Sequence, residues 1–151
     1  MTLVSALEAV VKRMKWIPVL VAAAATLMLA GTACGDDDNS GDLAVKATLK
    51  EWSIALNKAT VPAGQVTIRA DNQGTSEHEL ILLKTDIAPD KLQVEVGKVD
   101  EKQFESPGEV EAIKGGTVAS RTFNLDPGHY LLICNIAAHY EQGMRTELTV
   151  Q

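Results

Sequence analysis

Beyond residue 41 the apolar positions fall in short runs with a period near two, separated by turn residues. Residues 43–49 alternate in part, and in the next run Trp52, Ile54 and Leu56 share one face, as in a half-buried strand. Val61-Pro62-Ala63-Gly64 reads as a turn, and residues 65–70 follow as a strand with Val66, Ile68 and Ala70 pointing inward. Asp71-Asn72-Gln73-Gly74 breaks that strand. Residues 79–83 are then almost continuously apolar, the pattern of a central strand covered on both faces. Further strands are expected at 117–125, 130–134 and 146–150, with turns at Gly115-Gly116 and Asp126-Pro127-Gly128. Residues 85–108 are more polar and irregular. Within them only residues 89–92 carry an element signal, a short helix with Pro89 at its first position.

Strands at this spacing, with no long helical pattern, predict an all-β fold of the Greek-key sandwich or barrel type over residues 42–151. About 110 residues suffice for one such core. Trp52, Phe104, Phe123 and Tyr130 read as core aromatics.

The first third of the chain follows another logic. Lys12, Arg13 and Lys15 precede an apolar run from 16 to 30, and Gly31-Thr32-Ala33-Cys34 follows. A basic cluster, an apolar stretch and small residues before a cut site form a secretory signal over residues 1–33, helical in its apolar part. Met14-Lys15-Trp16-Ile17-Pro18 is itself a typical signal start, which points to Met14 as the true initiator. Cys34 and the acidic stretch behind it resemble a bacterial lipoprotein signal, which implies lipidation at Cys34 and a flexible linker over residues 34–41. Gly31 departs from that pattern, where an aliphatic residue is usual. Ordinary cleavage to a soluble protein and retention as an uncut anchor are the alternatives, although the run is short for a span and contains Pro18. All three place the C-terminal domain outside the cytoplasm, in the periplasm or extracellular, because the basic cluster stays inside.

The formal net charge of −6 becomes −8 once Glu8, Lys12, Arg13 and Lys15 leave with residues 1–33, which argues against nucleic acid as a partner. The same removal leaves Met144 as the domain's one methionine. With Cys34 lipidated, Cys134 is its one thiol.

Cys134, His139 and Met144 lie in a single Cys-x4-His-x4-Met stretch, and His78 lies upstream at the start of the apolar strand. Two imidazoles, one thiolate and a long axial thioether make the blue-copper donor set, although zinc accepts these ligands too. A geometry fixed by strands suits neither copper oxidation state fully, so little has to move when an electron arrives. His129, in the Pro127-Gly128 turn, is expected to face solvent and bind nothing. Tyr140, beside a ligand, borders an electron entry surface or simply packs.

Two segments resemble the plastocyanin/azurin-type cupredoxins. One is Asn72-Gln73-Gly74-Thr75-Ser76-Glu77-His78, similar to the family's Asn-x-Gly-x3-His. The other is Pro127-Gly128-His129-Tyr130-Leu131-Leu132-Ile133-Cys134 with His139, Gly143 and Met144 behind it. The resemblance implies one type 1 copper with His78, Cys134 and His139 equatorial and Met144 axial, in a monomeric electron carrier rather than an enzyme. Ala138 stands where many members have glycine, and Glu79 where some have Asn, Asp or Ser. The acidic domain suits redox partners with basic docking patches. Copper storage or delivery through the same site is the competing reading.

Overall fold

The computed structural model describes residues 44–151. The expected signal helix, the linker over 34–41 and Cys34 lie outside the described residues. Among those described, no helix is long and apolar enough to cross a membrane.

The described chain is a two-sheet β structure. One sheet has the order β2-β1-β4-β9, built from β1 (Val45–Lys50), β2 (Ser53–Leu56), β4 (Gly64–Asn72) and β9 (Val118–Leu125). The other has the order β3-β11-β10-β5-β8, built from β3 (Thr60–Val61), β5 (His78–Lys84), β8 (Glu105–Ile113), β10 (Gly128–Ile133) and β11 (Arg145–Val150). Both sheets are mixed: β1 runs parallel to β4 and β3 parallel to β11, and the remaining ladders are antiparallel. The ladders of these two main sheets leave both open, not joined in a closed barrel. The expected strands all form.

Alternation explains the main core. In β4 the buried positions are Val66, Ile68, Ala70 and Asn72, and in β1 they are Val45, Ala47 and Leu49. These meet Leu80 and Leu82 of β5, Tyr130 and Leu132 of β10 and Leu148 of β11. Burying each leucine is worth about 1.5–3 kcal/mol relative to leaving it exposed.

β5 and β10 are apolar on both faces because a second core lies behind them. Ile81, Leu83, Leu131 and Ile133 pack there against Leu92, Val99 and Tyr140, with Val94 and Phe104 at the margin. Residues 85–104 therefore form a strap over the outer face of this sheet. The strap holds a small ribbon, β6 (Val94–Glu95) with β7 (Lys98–Val99), and a 3-10 turn at Glu101–Gln103. The helix expected at 89–92 is a single turn closed by Lys91 N–H to the Ala88 carbonyl. Lys91, Leu92 and Gln93 would continue a helix, but Leu92 packs into the second core and its N–H is taken by the Tyr140 hydroxyl, so tertiary contacts override the local preference.

Trp52 corrects another expectation. It precedes β2 and is 39% exposed, whereas Ile54 is buried as expected. Phe123 and Tyr130 are core residues.

Asn72 closes β4 and shapes the approach to His78. Its side-chain amide donates to the carbonyls of Ser76 (2.8 Å) and Ile113 (2.7 Å), and its oxygen accepts from Gly74 N–H at 2.9 Å. Every polar need of this fully buried side chain is thus met by backbone. Asn72→Ala is expected to cost about 2–3 kcal/mol in urea unfolding of the metal-free domain, because two carbonyls and one amide lose their partner.

Candidate metal centre

One end of the five-stranded sheet gathers the chemistry. His78 is the first residue of β5. Cys134 follows the last residue of β10, which lies opposite Arg145 in the ladder, so Cys134 faces Met144. Cys134 N–H donates to the Met144 carbonyl at 3.1 Å. Between them the chain makes one helical turn, α1 (His139–Gln142), which starts with His139.

The ring nitrogens and the sulfur converge. Cys134 Sγ lies 3.3 Å from His139 Nδ1 and 3.9 Å from His78 Nδ1, and the two Nδ1 atoms are 3.3 Å apart. One donor atom from each of His78, Cys134 and His139 falls within 4.8 Å of the others, close enough to share one ion. All three residues are buried. Met144 is fully buried and belongs to the same apolar cluster as Cys134. His129 is exposed near the start of β10, at the other end of that strand.

Burial lowers the pKa of both histidines, helped at His78 by the neighbouring His139, while Glu51 pulls the other way. Burial raises the pKa of the Cys134 thiol, against hydrogen bonds from the Glu79 and Ile136 backbone. A pocket that resists its own protons on nitrogen and resists a bare thiolate is one that a soft cation would complete. The donor set fits copper.

The flanking residues lock this end. The Glu79 carboxylate accepts from Asn135 N–H at 3.1 Å, which ties the residue after His78 to the residue after Cys134. The glutamate thus makes a link across the site. Asn135 exchanges side-chain hydrogen bonds with the backbone of Val99, accepting at 2.7 Å and donating at 2.9 Å, and donates to Glu101 at 2.7 Å. Ala138 N–H donates to the Gly97 carbonyl at 2.8 Å. Tyr140 is buried; its hydroxyl donates to the Pro89 carbonyl at 2.6 Å and accepts from Leu92 N–H at 3.0 Å. It packs rather than bordering an open surface. The strap that escaped sequence reading is therefore bound to the loop after β10 at three points, Asn135, Ala138 and Tyr140.

Two residues at the site were not singled out as such from sequence. Trp52 sets its indole edge-on to the His139 ring, with centroids 4.9 Å apart. Glu51 stands beside His78, with Oε1 3.8 Å from Nε2. Neither has a local motif: both sit in the turn between β1 and β2, distant in sequence from every ligand.

Ala138 carries a left-handed backbone, φ 70° and ψ −9°. This accounts for the preference for glycine before the second histidine, since a Cβ in that conformation costs about 1–2 kcal/mol. Ala138→Gly is expected to stabilise the domain by about 0.5–1 kcal/mol, the strain relief less the added freedom of the unfolded chain, read as a higher urea midpoint.

The histidine shifts fix a pH dependence. Their folded pKa values lie below the unfolded value near 6.5, so the unfolded chain binds more protons as pH falls through 6.5. Their contribution is complete above that value and is lost below it. Glu79, raised mainly by burial, works in the opposite sense. Thermal melts of the metal-free protein in a Glu79→Gln background are expected to fall from pH 7.5 to pH 5.5, and to fall less when His78 and His139 are both alanine.

A family model described as the sulfocyanin (SoxE) domain matches residues 52–151. No curated protein matches the chain. Among solved structures it is similar to auracyanin from the photosynthetic bacterium Roseiflexus castenholzii, at 22% identity and TM-score 0.53, over 72% of this chain and 97% of that one. Auracyanin B is similar at 23% identity and TM-score 0.55, over 72% and 88%. Rusticyanin, described as a copper protein, is similar at 18% identity and TM-score 0.51, over 72% and 76%. At these identities the likeness is one of fold.

Proposed function

The chain belongs to the sulfocyanin (SoxE) domain family, and on that premise we propose that it is a copper-binding electron carrier, not an enzyme. The observation that carries this reading is the buried convergence of His78, Cys134 and His139 on one point. Met144 is assigned as the axial ligand, because its backbone pairs with that of Cys134 and its side chain is fully buried. Bound copper would supply one-electron chemistry between Cu(I) and Cu(II). The protein's share is to hold two imidazoles and a thiolate in place, keep water out and leave no position for a substrate.

Export and a lipid anchor at Cys34 belong to the same proposal. A tether would concentrate the domain near membrane partners. Glu79 and Glu101 both bond to Asn135, and Glu109 is raised first by its burial and then by the charges of Glu79, Glu111 and Glu101. This acidic surface, next to the Cys134 strand end, suits a redox partner with a basic docking patch. Electron exchange with such a partner is expected to slow as ionic strength rises.

Adding Cu(II) to the protein is expected to give an intense thiolate-to-copper band in the visible spectrum. Cys134→Ser should abolish it. Met144→Leu should keep the band and shift the reduction potential, because the axial donor tunes it. A colourless wild-type protein in the presence of Cu(II) would overturn the reading. Rapid loss of copper to an apo-acceptor, without reversible redox cycling, would favour delivery over electron transfer.

A further inference from the structure

His78 is fully buried, and its Nε2 has no hydrogen-bond partner among the described residues. Its Nδ1 is the atom that faces Cys134 and His139. A ring that binds through Nδ1 must carry its proton on Nε2, so the orphaned atom is the one that would hold the N–H. The charged group beside it is the Glu51 carboxylate, at 3.8 Å. That distance is too long for a hydrogen bond but within reach of an ionic contact, so Glu51 acts on the ring through its charge.

Glu51 is held firmly for this task. Its Oε1 accepts from the backbone N–H groups of Thr75 and Ser76, each at 2.7 Å. Gly74 makes the space, because a Cβ there would come within 2.6 Å of the carboxylate. Two short backbone donors on one oxygen favour the ionised carboxylate.

We propose that Glu51 is a positioning residue for the metal centre. Its fixed negative charge orders the His78 ring as the Nε2–H tautomer and favours the more highly charged state of the bound metal. The inference rests on the copper reading above and names a control on the same site. Ligating histidines are commonly set by a partner on their outer nitrogen, and here that partner is a side chain from the turn between β1 and β2.

Glu51→Gln separates charge from anchoring, because the amide oxygen still accepts from Thr75 and Ser76. With the copper-loaded protein, the variant is expected to keep the visible band and lose affinity for Cu(II) on the order of tenfold more than for Cu(I). That ratio is a rise of about 59 mV in a one-electron potential. An unchanged potential in a blue Glu51→Gln protein would overturn the assignment while leaving the copper reading intact. No band in wild type would remove both. Should the variant fail to fold, the wild-type protein decides alone. Nitrogen-15 NMR of its metal-free form at pH 8 is expected to find the His78 proton on Nε2, and a dominant Nδ1–H form would refute the proposal.

Discussion

The site depends on the register of three neighbouring strands. Ile81 of β5 lies opposite Ile133 of β10, and Ile133 lies opposite Arg145 of β11. One residue further, Cys134 faces Met144, and His78 begins β5 at that same end. A slip of one residue would turn Cys134 toward the outer core and bring Asn135 inward. What prevents the slip is apolar on both sides of the sheet: Leu80, Leu82 and Leu132 between the sheets, and Ile81, Leu83, Leu131 and Ile133 beneath the strap.

The strands of the two sheets were legible because their burial alternates or, in β5 and β10, because both faces are covered and the run is continuous. β8 was not. It is an edge strand in which only Val110 and Ile113 are buried, and those two sit three apart because the pairing with β5 shifts register. A bulged edge strand loses the period that marks a strand in sequence. The strap escaped for a related reason. Its apolar residues, Leu92, Val94, Val99 and Phe104, are spaced irregularly because each answers to a position on the sheet below, not to a regular element of its own.

At the site, the converging residues His78, Cys134 and His139 were legible because donor type and spacing are properties of the chain itself. Their supports were not, because support is a property of space. Trp52 read as core from its alternation with Ile54 and Leu56, yet it lies outside β2, with its ring against His139. Glu51 carried no signal; its role appears only when the turn between β1 and β2 is placed over the loop that Asn72 organises. The two departures from the family pattern also resolve differently. Ala138 keeps the backbone that glycine would hold and bears a steric cost, whereas Glu79 spans the site to Asn135 by its carboxylate.

The acidic groups near the site divide by how each is held, and this sets which of them can serve as a fixed charge. Glu51 accepts two short backbone hydrogen bonds, so its carboxylate is favoured in the ionised form. Glu79 is more enclosed and meets the charges of Glu101 and Glu111, so burial first and repulsion after it push its pKa up, against Lys98 and the Asn135 amide. One glutamate is a permanent charge on the His78 side, and the other is a hydrogen-bonding strut on the Cys134 side. The same residue type thus supplies a field in one place and a mechanical link in the other, and the difference comes from the surroundings: two short backbone donors at an open Glu51, burial and neighbouring carboxylates at Glu79.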